Sequence, residues 1–334
     1  MRILAAGLMS CVMASPSTAR QAVTMPAPAQ QSAEFDAVTV EGAQPGPGLW
    51  QAQKNGHTVW ILATVAPLPD NMTWNSKLIR DILADSKEVI YPPSISIDAD
   101  IGIFKGLFLF NALRKMDENP GGLTLQQVLP PATYARWLPL KARYLANDGK
   151  VERMRPMFAA GELLKSVYKT QGLGGRKVVS SVLDEAIKQH RIKVTSTSVK
   201  VKIADPGKAL KEFANEKLGD DGCLSSAMAL AEHDLPAIKA RANAWARGDI
   251  ARLRQLPIAD TTTNCVQALM DAQVASSRGI NNLPARFKDN WLKAMDTAVA
   301  NNDTSLAVVS LAQLVGKEGY LDALRARGYE ITEP

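Results

Sequence analysis

Strand patterns lie near both ends of this chain, and a long stretch of helical patterns separates them. Short, largely apolar segments at 57–64 and 88–91 open the folded part, and similar segments at 306–309 and 329–331 close it. A β-strand needs hydrogen-bonded neighbours, so strands from the two ends are expected to meet in one sheet. The sequence therefore predicts a single α/β domain (mixed α+β), whose central sheet is built from N- and C-terminal strands and carries a large helical insertion.

The first strands have clear boundaries in the sequence. An Asn-Gly pair at 55–56, the best short signal for a hairpin, separates a strand at 49–52 from the strand at 57–64. The second of these strands is apolar on both faces, as expected for a strand that is covered on both sides. A helix capped by Asn75 and the strand at 88–91 then complete a βαβ order.

Helical periodicity dominates the middle of the chain. Residues 101–189 have a helical pattern with breaks at Pro130, Pro156 and 172–175, and further helices are predicted from Pro206, over 224–247 with a break at Pro236, and over 263–276, 284–300 and 320–327. Period-two alternation at 192–201 predicts one strand. The glycine-rich segment 172–175 follows no strand, so it predicts a connection between helices rather than a phosphate-binding loop.

The first 47 residues differ in composition from the rest. A cationic start, a short apolar run and small residues up to Ala19 have the pattern of a secretory signal peptide over 1–19, with cleavage after Ala19. Residues 20–47 are rich in Pro, Ala and Gln and predict a linker, which leaves 48–334 as the domain. Cys11 is a poor match to a lipoprotein box because Met9 fits badly. We therefore expect a periplasmic or secreted protein without a lipid anchor.

Charge and hydropathy argue against two kinds of partner. The formal net charge is +6, but Asp or Glu interrupts most basic stretches, so we expect no nucleic-acid-binding surface. No later segment approaches the roughly 20 continuous apolar residues of a spanning helix, so we expect no membrane span.

Two cysteines remain after removal of the signal peptide. Cys223 and Cys265 each lie near the start of a helical pattern, and an exported protein is in a compartment where disulfides persist. We expect a disulfide between them, and two buried free thiols are the alternative. Neither cysteine has a second Cys or a His at ligand spacing, so a metal site is not expected there.

Several segments, taken in order, resemble one protein family. They are 55–66, Arg155-Pro156-Met157, Ala244-Trp245-Ala246-Arg247-Gly248-Asp249, 310–321 and Gly328-Tyr329. Together they resemble the TraB/GumN family, which is related to the TIKI-type metalloproteases, over about 49–331.

The resemblance implies a divalent metal held by two Gly-x-x-His motifs and by an acidic residue after the third strand. Here the first motif runs from Ala63 to Ala66, the second runs from Ser310 to Gln313, and the acidic position falls on Pro92. Alanine and proline side chains have no lone pair to donate, and Gln313 offers one weak carbonyl oxygen. We therefore expect that the metal site is lost, that no cofactor is bound, and that these five residues mark vestigial positions of the site.

Only three histidines are present, and none has a partner at helical ligand spacing. His57 lies at a strand edge upstream of the first motif, where a surface role is expected. His190 ends a helix beside Arg191, and His233 lies between two acidic residues that point in other directions from the helix axis. A metal site built from these three is not expected.

Two functions follow from the resemblance. The first is an exported, catalytically degenerate protein (a pseudoenzyme) that acts as a binding or envelope-associated protein. The second is a metal-dependent, peptidase-like hydrolase with a rearranged site that uses Glu88, Asp98 or Asp100 together with Gln313. GumN-type relatives are associated with exopolysaccharide clusters and TIKI-type relatives with peptide cleavage, so the resemblance implies a polysaccharide or peptide ligand.

Overall fold

Strands from both ends of the chain form the larger of two sheets. The computed structural model describes residues 45–99, 115–146, 148–256, 261–280 and 282–334, all within the compact unit Val40–Pro334. The strands are β1 (Leu49–Lys54), β2 (His57–Thr64), β3 (Glu88–Ile90), β4 (Ile95–Ala99), β5 (Lys193–Thr195), β6 (Val199–Ile203), β7 (Thr304–Ser310) and β8 (Glu330–Thr332). The larger sheet has the order β5-β3-β7-β2-β1-β8, and β4 pairs with β6 in a second sheet.

Helices fill most of the chain between β3 and β7. They are α1 (Lys77–Asp85), α2 (Leu125–Val128), α3 (Pro131–Tyr144), α4 (Pro156–Thr170), α5 (Arg176–His190), α6 (Pro206–Asn215), α7 (Asp221–Ala229), α8 (Leu235–Ala246), α9 (Ile250–Gln255), α10 (Thr261–Asp271), α11 (Gln273–Ser276), α12 (Leu283–Asn301), α13 (Leu311–Val315) and α14 (Tyr320–Ala326). Single 3₁₀ turns lie at Pro120–Gly122 and Val151–Arg153, and a π-helical turn at Leu230–Asp234 separates α7 from α8.

The register of the larger sheet explains why both ends of the chain are needed. β7 runs parallel to β2 on one side and parallel to β3 on the other, while β1 pairs antiparallel with β2 and with β8. β5 extends the parallel part beyond β3. The C-terminal β7 is therefore the central strand that joins the N-terminal β2 and β3, which confirms the predicted α/β fold. The predicted signal peptide and most of the predicted linker lie outside the described residues.

The strands next to the centre are covered on both faces. Ile61, Leu62 and Ala63 of β2 are buried, and so are Leu306–Val309 of β7. Alternate residues of a strand point to opposite faces, so consecutive buried residues require a layer on each side of the sheet. This confirms the expectation drawn from the apolar pattern of β2.

The helical region has a hydrophobic core of its own. Trp137 of α3, Leu163 of α4 and Leu224 of α7 are fully buried within it. The sulfur atoms of Cys223 in α7 and Cys265 in α10 lie at disulfide distance, with the two Cα atoms 4.6 Å apart, as predicted. The bond ties two helices that are 42 residues apart in sequence.

The structure corrects the prediction of one strand over 192–201. This segment forms β5 and β6, which belong to different sheets and are separated by residues 196–198. Thr197 is buried there, and its Oγ1 donates a hydrogen bond to the carbonyl of Tyr91 (2.9 Å). Hydroxyl side chains can replace ladder partners of the backbone, so this part of an alternating pattern leaves the strand. The partner of β6, β4, was not predicted.

Candidate functional site

The parallel strands bring the vestigial positions to one edge of the sheet. Thr64, the last residue of β2, pairs with Ser310, the last residue of β7. Ala66 lies two residues beyond β2, and Gln313 lies three residues beyond β7. Pro92 lies two residues beyond β3, on the other side of β7. The five positions therefore gather at the carboxyl ends of three adjacent strands, where ligands bind in open α/β sheets.

A cavity of about 410 Å³ opens at this edge, and we call it the strand-end cavity. Two of the vestigial positions, Ala66 and Pro92, line it, whereas Ser310 and Gln313 are not among its lining residues. The other walls come from the end of β2 and the residues that follow it, from the residue after β3, from β7, and from α5 with the two glycines before it. They include Val65, Pro67, Leu68, Val179, Leu183 and Val308.

The lining of the strand-end cavity is mostly apolar. Among its described lining residues, Asp184 is the only charged one. The Tyr91 hydroxyl donates a hydrogen bond to Oδ1 of Asp184 (2.9 Å), which links the end of β3 to α5 across the cavity wall. Burial, and then the neighbouring Asp184 carboxylate, raise the pKa of Tyr91 to about 12, so the phenol stays protonated at neutral pH.

Backbone contacts hold the two loops that form the remaining wall. The N–H groups of Gly174 and Gly175 both donate to the carbonyl of Leu68 (2.9 Å each), and the Ala66–Pro67 bond in that loop is cis. A Cβ atom at Gly175 would lie 2.7 Å from the Pro69 oxygen, so glycine is required for this approach. The glycine-rich segment is a connection between helices, as predicted, and it also forms part of the cavity.

Ser310 and Gln313 are used to cap a helix. The Ser310 Oγ accepts a hydrogen bond from the Gln313 backbone N–H (3.2 Å) and donates one to Gln313 Oε1 (2.8 Å). Ser310 is the N-cap of α13, and glutamine three residues later is the usual partner in such a cap. The one carbonyl oxygen that the sequence left as a possible metal ligand is therefore hydrogen-bonded within the protein.

The residues at this edge do not fit a divalent metal. Ala66 and Pro92 offer no donor atom, the Gln313 oxygen is engaged by Ser310, and Asp184 is a single carboxylate that is shared with Tyr91. Tight sites for zinc, manganese or similar ions use three or more oxygen, nitrogen or sulfur ligands. In the described part of the chain, no group of three or more His, Cys, Asp or Glu residues is arranged to hold a metal ion.

Glu88 lies at the opposite end of the strands and is fully engaged. Its side chain is buried; Oε1 accepts from Thr195 and lies 3.1 Å from Lys193 Nζ, and Oε2 accepts from Asn302 Nδ2 (2.9 Å). Burial raises the pKa of this carboxyl, but the hydrogen bonds from Thr195, Asn302 and Lys193 outweigh burial and lower it. Glu88 thus ties β3 to β5 and to the segment before β7.

The carboxylates of the alternative site are not brought to Gln313. Glu88 pairs with Ser305, and Ser305 is five residues before Ser310 on β7, a separation of roughly 16 Å along a strand. Asp98 lies in the second sheet, where it pairs with Lys202. Asp100 lies outside the described residues.

The three histidines lie in three different elements of the fold. His57 starts β2, where its Nδ1 lies 3.1 Å from the Asn302 carbonyl oxygen and 3.3 Å from an Asp303 carboxylate oxygen. His190 is the exposed last residue of α5, and His233 is an exposed residue of the π-helical turn. None of the three is a lining residue of the strand-end cavity.

The segment from Trp245 to Asp249, which was part of the sequence resemblance, contacts the end of β2 at this edge of the sheet. The buried indole Nε1 of Trp245 donates to the carbonyl of Ala63 (2.7 Å), near the end of β2. Gly248 then adopts a positive φ of 67°, and the Asp249 side chain caps α9 by accepting from the Arg252 N–H (2.9 Å). A Trp-x-x-Gly-Asp sequence thus ends one helix, begins the next and fixes a strand end.

Comparison with known families gives one match for this chain. Residues 48–333 match the model of the TraB/PrgY/gumN family. The chain belongs to the TraB/PrgY/gumN family. No curated protein and no solved structure gives a significant match. The resemblance drawn from the sequence is therefore confirmed at the level of the family.

The sequence did not single out Tyr91 and Asp184 as site residues. They are 93 residues apart, and neither belongs to a motif that was used to recognise the TraB/PrgY/gumN family. The capping role of Ser310 and Gln313 had a signal, because Ser-x-x-Gln after a strand is the pattern of a capping box. None of the helices in the described residues combines the length and apolar character that crossing a membrane requires.

Proposed function

We propose that this member of the TraB/PrgY/gumN family is exported, has lost metal-dependent hydrolysis and acts in the cell envelope by binding a ligand in the strand-end cavity. The observation that carries the proposal is the replacement of donor atoms by apolar groups at the strand ends. Ala66 and Pro92 line the cavity, and Gln313 is engaged as a helix cap. The position of the site is retained, while the groups that would activate water are missing.

The lining favours a peptide over a polysaccharide as the ligand. A volume of about 410 Å³ is within the usual range for small-molecule sites, and it suits one or two apolar side chains. Each Å² of apolar surface that leaves water contributes on the order of 25 cal/mol, so a lining of Val, Leu and Pro favours apolar groups. A sugar would bring many hydroxyl groups and would leave most of them without partners here.

The N-terminal pattern and the cysteine pair support export. Residues 1–19 have the composition of a signal peptide, and a disulfide between Cys223 and Cys265 fits an oxidising compartment. Mass spectrometry of the protein from fractionated cells tests this directly. We expect a mature N-terminus at Arg20 in the periplasmic or secreted fraction. A cytosolic protein that keeps Met1 would contradict export.

Metal content and hydrolysis test the loss of catalysis. The purified mature chain is assayed by elemental analysis, and cleavage of a mixed peptide library is measured with and without a chelator. We expect metal far below one ion per chain and no cleavage that the chelator abolishes. Stoichiometric metal together with chelator-sensitive cleavage would show that the chain is a hydrolase with a rearranged site.

Restoring the family's donor set provides a stronger test of where the site lies. The fourfold variant Ala63→Gly, Ala66→His, Pro92→Glu and Gln313→His places two imidazoles and one carboxylate at the strand ends. We expect it to bind zinc more tightly than the unmodified chain. The matched control keeps Ala63→Gly and Pro92→Glu but carries Ala66→Asn and Gln313→Asn, which supply similar bulk without imidazole. Equal zinc affinity in the two variants would contradict the assignment of the vestigial positions.

A further inference from the structure

Among the described residues that line the strand-end cavity, Asp184 is the only charged one, and it contacts Tyr91. We propose that this pair selects a ligand that carries a cationic group next to an apolar group, with the Asp184 carboxylate as the partner of the cation. This inference rests on the proposed function, because it concerns the chemistry of the ligand that the cavity binds.

The position of Asp184 on α5 is the first step of the argument. Val179, Ser180, Leu183 and Asp184 all line the cavity; Val179 and Leu183, like Ser180 and Asp184, are four residues apart, which places each pair on one face of the helix. Val179 and Leu183 give this face its apolar part, and Asp184 lies next to them. A ligand that fills the apolar part therefore places its neighbouring group beside a carboxylate.

The Asp184 carboxylate can still accept hydrogen bonds from a ligand. Oδ1 accepts the Tyr91 hydroxyl, and among the described side chains no Lys, Arg or His lies within 4.0 Å of Asp184. The adjacent acid, Glu185, is instead paired with Arg80 at 2.9 Å. An ionised carboxylate accepts several hydrogen bonds, so Oδ2 remains available to an ammonium or guanidinium group.

Tyr91 acts as a positioning residue for this carboxylate. Its hydroxyl donates to Asp184 from the end of β3, and this contact holds the acid toward the strand ends. The raised pKa of Tyr91, about 12, keeps the phenol a donor rather than a competing anion. The pair therefore presents one negative charge in a fixed place.

The N-terminus of α5 is a reason to expect an anionic ligand instead, because helix N-termini attract anions. Gly174 and Gly175 lie at this start and line the cavity, but their N–H groups already donate to Leu68. The N–H groups of the two residues just before α5 are thus engaged within the protein. The charge that faces the ligand is that of Asp184, so a cation is expected rather than a carboxylate.

Three probes of equal length test the inference on the mature chain at neutral pH. Hexylamine, 1-hexanol and hexanoate each have six carbon atoms in an unbranched chain and differ in the charge of the terminal group, and their binding is followed by NMR titration. We expect hexylamine to bind about fivefold more tightly than 1-hexanol, as for one partly exposed ion pair, and hexanoate to bind most weakly. Asp184→Asn should abolish the preference for hexylamine over 1-hexanol, measured as the ratio of the two affinities in the same variant.

Two further variants separate charge selection from structural damage. Glu185→Gln removes an adjacent carboxylate that is paired with Arg80, and it should leave the preference unchanged. Tyr91→Phe keeps the charge of Asp184 but frees its side chain, so the amine-to-alcohol ratio should fall by about half while 1-hexanol binding persists.

The outcomes distinguish this inference from the proposed function. Equal binding of the three probes, or a preference that survives Asp184→Asn, would overturn cation selection while cavity binding stands. Tighter binding of hexanoate would assign the site to the start of α5 and would also overturn it. Failure of all three probes to bind would contradict ligand binding in the cavity itself, and the inference would fall with it.

Discussion

The two ends of the parallel strands differ in their polar groups. At the amino ends, the buried Glu88 carboxylate is surrounded by Thr195, Lys193 and Asn302, and both of its oxygens are engaged. At the carboxyl ends, the strand-end cavity is mostly apolar, and Asp184 is its only charged lining residue among those described. Polar groups at one end stabilise the fold, while the other end remains open to a ligand.

This difference teaches how to judge an acidic residue in a chain like this one. Glu88 lies on a strand and has a carboxylate, so the sequence made it a candidate for catalysis. A buried carboxylate is stable only when its hydrogen bonds are satisfied, and here that need is met inside the sheet. An acid that serves a ligand must keep part of its capacity open, as Asp184 does.

The largest loss of stability is expected from removal of the disulfide, which lies in the helical region. This change also tests whether the two ends of the strands are independent of that region. Replacing Cys223 and Cys265 by serine removes a bond that spans 42 residues of sequence. In the chain-entropy account this lowers the free energy of unfolding by about 4 kcal/mol. Denaturant unfolding of the variant and of the oxidised parent measures the loss. Probe affinity at the strand-end cavity should stay the same, and a parallel loss of affinity would show that the regions are coupled.

The next largest effect is expected at the amino ends. Glu88→Ala leaves Asn302 and Thr195 without their buried acceptor, so the free energy of unfolding should fall by about 3 kcal/mol. Glu162→Ala, which removes an exposed acid paired with Lys165, is the matched control and should change it by less than about 0.5 kcal/mol. Similar losses in both variants would mean that Glu88 is not a special structural residue.

The charge of Glu88 predicts a dependence of stability on pH. Its pKa is lowered from the ordinary value of 4.5 in the folded state, so its contribution is complete above that value and is lost as the pH falls through the folded pKa. The difference in unfolding free energy between the parent and Glu88→Gln should therefore shrink as the pH falls below 4.5 and through the lower pKa of the folded state. Urea unfolding across this range measures it. A difference that stays constant or grows toward low pH would contradict the lowered pKa.

The smallest effect is expected at the carboxyl ends. Ser310→Ala removes the N-cap of α13 and should lower the free energy of unfolding by about 1 kcal/mol. Ser181→Ala is the control, because the Ser181 hydroxyl donates to the Lys177 carbonyl inside a helix and caps no end. Thermal unfolding of the two variants compares them. If Ser181→Ala costs as much as Ser310→Ala, the cap between Ser310 and Gln313 does not stabilise this edge.

Local patterns predicted much of the fold. The strands that became β1, β2, β3 and β7 were recognisable because each has a dense run of apolar residues between clear stops. The restart of helix at Pro236 was also predicted, and the structure has the π-helical turn directly before it. The split between β5 and β6 was missed because alternation continues through 196–198, and only the partner of Thr197, the Tyr91 carbonyl, shows that the chain leaves the sheet there.

The candidate site was predicted in part. The positions of Ala66, Pro92 and Gln313 beyond three strand ends followed from the motifs, and parallel pairing places them at one edge. The contact between Tyr91 and Asp184 joins residues from different elements, and a single sequence holds no local signal for such a pair. Local motifs therefore predicted which residues lie together at this edge of the sheet, while the contact between Tyr91 and Asp184 depends on tertiary structure.

The cap formed by Ser310 and Gln313 has an evolutionary consequence. A histidine at position 313, as the family resemblance implies, would take away the glutamine oxygen that Ser310 now contacts. Such a change would keep the bond from the backbone N–H of residue 313 to the Ser310 Oγ and would remove only the contact with the glutamine side chain. If position 313 once held a metal ligand, as we propose, its side chain now contributes to the start of α13 instead, and a return to histidine would change local stability as well as chemistry.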